Sequence, residues 1–195
     1  LREALEAFFP GHEVSVTDMD DEEQRCIVRV WGDRTRGAYY FYDRTSNALK
    51  KLADVSPWLR EEDMSPMTPI TYRSRDGLTI PTGAASRDLP LVVIPHGGPS
   101  AREYWGFDAE AQFLANRGAA VLQVNFRGST GYGKKFWQAG FKQWGRAMQD
   151  DVTDGVKWAV EASPTPNAWP STAAATAAMR PWRARPSRRT STPAP

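Results

Sequence analysis

His96-Gly97-Gly98-Pro99 is the segment of this chain best equipped for chemistry, because it follows the apolar run Leu89 to Ile94 directly. Two consecutive glycines at the end of a strand let backbone N–H groups face outward with no Cβ in the way, which is what stabilising an oxyanion requires. A tight Gly-Pro turn without a ligand is the competing reading. A second glycine-rich segment, Asn125-Phe126-Arg127-Gly128-Ser129-Thr130-Gly131-Tyr132-Gly133, also follows an apolar run. It is not a phosphate loop, since Lys134 is followed by Lys135 and Phe136 where Gly-Lys-Ser/Thr would be needed. Ser129 lacks the G-x-S-x-G flanks of a nucleophile elbow. The better reading is a shaped loop held by Arg127 pairing with a carboxylate such as Asp150 or Asp151. Those two acids are neighbours on a predicted helix and point in different directions, which argues against joint acid–base work.

The elements that must position these segments read as a strand at Ile70 to Arg73, a turn at Asp76-Gly77 and a buried strand at Leu89 to Ile94. Phe107 to Arg117 has helical spacing through Phe107, Ala111 and Leu114, with Gly118 as its stop. Ala119 to Phe126 is a second buried strand. Asp150 to Ala162 is a helix whose apolar positions are Val152, Val156, Trp158 and Val160. Strand and helix in alternation predict parallel strands covered by helices. Phe136, Trp137, Phe141 and Trp144 read as core or pocket wall, with Lys134, Lys135, Lys142 and Arg146 as the solvated face. Upstream, residues 13 to 62 are β-rich, with strands at Cys26 to Trp31, Ala38 to Asp43 and Leu49 to Leu52. That spacing suits one propeller blade, although a short meander reads the same way.

Composition divides the chain. The net charge of +2 separates into +5 for residues 163–195, which hold five Arg and no Asp or Glu, and −3 for residues 1–162. The acidic body argues against nucleic-acid binding there. The Ala, Pro, Ser, Thr and Arg of residues 163–195 cannot build a core. Cys26 is alone and only His12 and His96 exist, so an internal disulfide is excluded and no metal site or cofactor is expected. No apolar run is long enough to span a bilayer and no signal peptide opens the chain, which begins at Leu1; a cytoplasmic location and no membrane partner are the expectation. Nothing in the residues fixes an oligomeric state.

Taken in order, Arg75-Asp76-Gly77-Leu78, Leu89 to Pro99, Tyr104-Trp105-Gly106, Asn125 to Gly133, Trp144-Gly145 and Asp150 to Trp158 resemble the prolyl oligopeptidase family of serine peptidases, particularly its acylaminoacyl-peptidase and dipeptidyl-aminopeptidase branch. The resemblance covers most of residues 60 to 162. It implies an α/β fold: residues 1–62 as the end of a β-propeller domain, its last blade, and 63–162 as the N-terminal part of an α/β-hydrolase catalytic domain. Residues 163–195 would be an out-of-frame or disordered tail. It also implies a peptide substrate, hydrolysed by acyl transfer through Ser, His and Asp, with the Gly98 N–H helping to hold the tetrahedral oxyanion. The chain departs from the family in two ways. A short strand expected between Ile80 and Pro81 is absent, as if deleted, and no nucleophile, catalytic His or catalytic Asp appears after Ala162. The chain as it stands is therefore expected to be inactive. The alternatives are a non-catalytic protein whose Arg-rich tail contacts RNA, DNA or acidic surfaces, and a fragment of an α/β-hydrolase esterase.

The tail has a second reading. Taken one base earlier, an alanine codon becomes Gly, Ser, Arg or Cys, and a threonine codon becomes Tyr, His, Asn or Asp. Thr172-Ala173-Ala174-Ala175-Thr176-Ala177-Ala178-Met179 then permits Tyr-Gly-Gly-Ser-Tyr-Gly-Gly-Tyr, with the serine over Ala175. This contains G-x-S-x-G. Ser163 to Ser171 permits Ile-Ala-Asp-Pro-Glu-Arg-Val-Ala-Ile, whose second Ala is forced by Trp169-Pro170. Loss of one G from codons for Glu-Gly-Ile would yield Glu161-Ala162-Ser163.

Overall fold

A computed structural model of the chain describes residues 1–85 and 89–162. Period-two alternation organises its first half. In β2 (Arg25–Trp31), Cys26, Val28 and Val30 are buried while the residues between them are not. β1 (Glu13–Met19), β2, β3 (Ala38–Asp43) and β4 (Ala48–Asp54) form an antiparallel sheet in sequence order. Leu5 of α1 (Arg2–Phe8), Val14 and Tyr42 complete the core of this sheet. The three strands expected here are present. β1 and α1 were not anticipated, because each offers a single buried residue, Val14 and Leu5, and so carries no apolar stripe.

The second sheet contains β5 (Thr68–Arg73), β6 (Thr79–Ala85), β7 (Leu91–Pro95) and β8 (Ala120–Val124), in the order β5-β6-β8-β7. Only β7 and β8 are parallel; β5 with β6 and β6 with β8 are antiparallel. The two strands that alternate with helices, β7 and β8, are parallel as expected, and β5 and β6 make the sheet as a whole mixed. The Asp76-Gly77 turn is short enough to join only antiparallel neighbours, whereas β7 and β8 are connected through α2 (Ala109–Asn116) and can run parallel. β6 passes through Ile80 and Pro81 without a break, with Tyr72 opposite Ile80 and Thr71 opposite Pro81, so the chain closes over the place where a further strand was expected.

β8 is buried along its whole length, as a central strand must be. β7 is only partly buried, and its side away from β8 has no strand among the described residues. α2 starts at Asp108, whose carboxylate accepts from the Ala111 N–H at 2.7 Å. α3 (Lys134–Gln138) is short. α4 (Ala147–Ala162) begins earlier than expected and lays Met148, Val152 and Ala159 against Tyr72, Ile80, Leu122, Val124 and Phe126. Val156 and Trp158 pack at the margin of that core, and Val160 is exposed. Of the aromatic cluster only Phe136 is buried, which corrects the reading of all four as core or pocket wall: the short helix α3 turns Phe136 inward and Trp137 outward, and Phe141 and Trp144 follow it in the exposed turns before α4. No helix among the described residues is long and apolar enough to cross a membrane. The readings of residues 163–195 lie outside the described residues.

Candidate active site

The parallel strands β7 and β8 end side by side, Pro95 opposite Val124, and the two segments singled out for chemistry leave from those ends. Loops at the carboxyl ends of parallel strands are the usual ligand site of α/β sheets. Gly98 has φ +133°, a region open chiefly to glycine, and a Cβ there would lie 3.0 Å from the Ser100 nitrogen. Gly97 and Gly98 are exposed, and the Gly98 N–H meets no acceptor among the described residues.

The segment following Gly98 is clamped to the segment following β8. Asn125 bridges both polar groups of Glu103, its Oδ1 accepting from the backbone N–H at 2.7 Å and its Nδ2 donating to the carbonyl at 3.2 Å. The Thr130 N–H donates to the Ala101 carbonyl at 2.9 Å. Trp137 Nε1 donates to Ser100 Oγ at 3.0 Å, which gives the exposed indole a polar anchor. The loop reading of residues 125–133 therefore holds, and its function is to carry the neighbouring loop.

Ser129 and His96 meet with Oγ and Nε2 2.6 Å apart, a contact of the length found between a nucleophile and its base. Ser129 is fully buried, however, and its Oγ also lies 2.6 Å from the Phe126 carbonyl. The other ring nitrogen of His96 faces the Gly97 carbonyl at 2.8 Å, and not a carboxylate. Burial also pushes the His96 pKa down. A substrate carbonyl cannot reach this pair, which is structural. Sequence reasoning missed it because the two residues are 33 positions apart and lie in separate segments that meet only when β7 and β8 are aligned.

Arg127 does pair with a carboxylate, and with two. Its Nε and Nη2 donate to fully buried Asp151 at 2.8 and 2.6 Å, its backbone N–H adds a third bond at 2.9 Å, and Nη1 and Nη2 reach Asp76 at 2.7 and 3.0 Å. Ser74 Oγ donates to Asp151 at 2.7 Å. Asp150 pairs instead with Arg75 at 2.8 Å, so the two neighbouring acids do point apart. Arg75 also holds Asp154 through its backbone N–H and guanidinium, both at 2.8 Å. The cluster ties the β5–β6 turn, the loop after β8 and α4 into one unit.

The Arg75 hydrogen bonds pull the Asp154 pKa down to about 2 from an ordinary 3.8. A depressed folded-state value means that Asp154 stabilises the fold fully above its unfolded value and stops doing so as pH falls through about 2. Asp76, drawn down by Arg127, has the same sign. The thermal midpoint is expected to fall between about pH 4 and about pH 2 and to fall less steeply in Asp154→Asn, as followed by circular dichroism across that range.

No group of three or more His, Cys, Asp or Glu that could hold a metal occurs among the described residues. Residues 105–167 match the prolyl oligopeptidase family. The chain is 42% identical over 172 residues to dipeptidyl aminopeptidase BIII of Pseudoxanthomonas mexicana, covering 82% of this chain and 25% of that protein. It is 40% identical over 73 residues to the human acylamino-acid-releasing enzyme, covering 37% of this chain and 9% of that one. The structure superposes on Pyrococcus horikoshii acylaminoacyl peptidase with a TM-score of 0.62 at 22% identity, over 77% of this chain and 25% of the other, a likeness of fold. The chain spans about a quarter of the length of the first two curated relatives it matches. With the ordered motifs, the mixed sheet and these similarities in agreement, the chain belongs to the prolyl oligopeptidase family.

Proposed function

We propose that this chain is the junction of a peptide-hydrolysing serine peptidase, with residues 1–62 as the last propeller blade and residues 63–162 as the first part of the α/β-hydrolase domain. The observation that carries the reading is the exposed Gly98 N–H at the carboxyl end of β7, which meets no acceptor among the described residues. In the complete site a serine Oγ attacks the substrate carbonyl and passes its proton to histidine. The carbonyl oxygen becomes an oxyanion, to which Gly98 donates. The amine leaves with the proton, and water then releases the acid from the acyl-enzyme. One such donor is worth about 10²–10³-fold in kcat.

The serine and the proton carrier are missing from this chain. Neither histidine qualifies as the base: His12 lies near Glu61 and far in sequence from the loops, and His96 is buried against Ser129. Purified 195-residue chain is therefore expected to take up no fluorophosphonate, at Ser129 included, as read by intact-mass spectrometry. Stoichiometric labelling would overturn the assignment of inactivity. The tail of residues 163–195 is read as an out-of-frame translation of the segment bearing the nucleophile, supported by the G-x-S-x-G that its codons permit.

A further inference from the structure

Two guanidinium Nε atoms are buried without a hydrogen-bond partner among the described residues, those of Arg29 and Arg102. Arg29 lies in β2, within the antiparallel sheet. Arg102 lies in the segment that follows Gly98, four positions further along. Its charge also lacks a counter-ion. Arg75 and Arg127 each reach two carboxylates, whereas none comes within ion-pair distance of Arg102 among the described residues. Outside the described residues the only acidic side chain is Asp88, which precedes β7, whereas Arg102 follows it. A buried charged donor left unmatched calls for a use.

The guanidinium is nevertheless held in place. Its carbon lies over the rings of Tyr104 at 4.5 Å and Tyr132 at 5.1 Å. It packs so closely on Gly131 that a Cβ there would overlap Nη1. The backbone on either side is fixed as well: the Ala101 carbonyl accepts from the Thr130 N–H, and both backbone polar groups of Glu103 bind Asn125. Attraction to a ring uses the charge and needs no acceptor atom, so it does not satisfy the N–H donors of the fork. What matches a planar fork of N–H groups is a carboxylate, through two parallel bonds.

We propose that Arg102 is a specificity residue that binds a carboxylate of the peptide substrate close to the scissile bond, whether the C-terminal α-carboxylate or an Asp or Glu side chain. The proposal rests on the reading of Gly98 as oxyanion donor. Four residues of chain span at most about 14 Å, and an extended peptide covers that length in about four residues. The carboxylate therefore belongs within a few residues of the bond that is cut.

The 195-residue chain serves for the test, because the contact involves no nucleophile. Saturation-transfer NMR on the methyl signals of three peptides reads binding: N-acetyl-trialanine, which ends in a carboxylate, its C-terminal amide, and N-acetyl-Ala-Glu-Ala amide, whose only carboxylate is a side chain. The expected result is saturable binding of one or both carboxylate peptides and none of the neutral amide, and the peptide that binds names the source. Arg102→Gln should weaken that binding about tenfold or more, as loss of a charge-assisted pair requires. Arg102→Lys should restore only part of it, since an ammonium lacks the fork. Gly131→Ala keeps the charge but displaces the guanidinium, and should weaken binding as well. Circular dichroism confirms that each variant is folded, and Arg102→Lys carries the test if Arg102→Gln is not. Equal binding of all three peptides, no binding of either carboxylate peptide, or binding indifferent to the Arg102 variants would overturn the proposal. Failure of the peptidase reading shows elsewhere, as absent serine labelling after the reading frame is restored, and leaves these titrations unaffected.

Discussion

Arg127→Met is expected to cost on the order of 3–5 kcal/mol of folding stability, most of what a small domain has. The cause is the carboxylate left behind. Asp151 is fully buried and takes two of its hydrogen bonds from the Arg127 guanidinium, at 2.6 and 2.8 Å. Methionine fills similar volume but leaves that carboxylate with only the Ser74 hydroxyl and the backbone N–H of residue 127. The Asp76 arm contributes little to this loss, since its side chain is 50% exposed and water screens it. Arg127→Lys should recover only part, because an ammonium cannot supply the two-pronged contact. The double variant Arg127→Met, Asp151→Leu should lose much less than Arg127→Met alone, because no charge is then stranded. Urea unfolding followed by far-ultraviolet circular dichroism measures all three. Equal losses in the single and double variants would mean that the cluster acts through packing and not through charge.

This cluster also marks where reading the sequence succeeds and where it stops. The apolar runs before His96 and Asn125 were legible as strands from their unbroken hydrophobic signature; β8 is buried along its length, whereas β7 is only partly buried. That Arg127 would find a carboxylate near positions 150 and 151 was legible from charge type alone. Which acid, and that Asp76 would join, depended on how α4 meets the β5–β6 turn, and no local pattern encodes that. β6 was missed for another reason: Thr79 to Ala85 includes Pro81 and Gly83, both poor strand formers, and pairing on both sides overrides their propensity. The Gly98 loop was legible through its glycines. The His96–Ser129 bond that supports it was not, since its partners become neighbours only once two parallel strands are aligned.

Resequencing the DNA across the codons for Glu161, Ala162 and Ser163 is expected to reveal one additional G. The restored chain would continue from α4 through a turn into an apolar stretch where Trp169, Pro170 and Ser171 now stand, and Trp169 could become only Leu, Val or Met in that frame. A strand there has a place to go, the open side of β7, where it would cover an edge otherwise left as a template for aggregation. The serine encoded across Ala174 and Ala175 would follow directly, at the end of a strand running beside the loop that carries Gly98. Beyond it, Arg180 and Arg183 become Ala or Glu and Trp182 becomes Leu, Val or Met, residues that suit the helix an elbow leads into. The restored protein is expected to be labelled stoichiometrically by a fluorophosphonate and to lose all labelling when that serine is changed to alanine, where the 195-residue chain takes up none. If the present frame is confirmed instead, function must be sought in salt-dependent binding that disappears when residues 163–195 are removed.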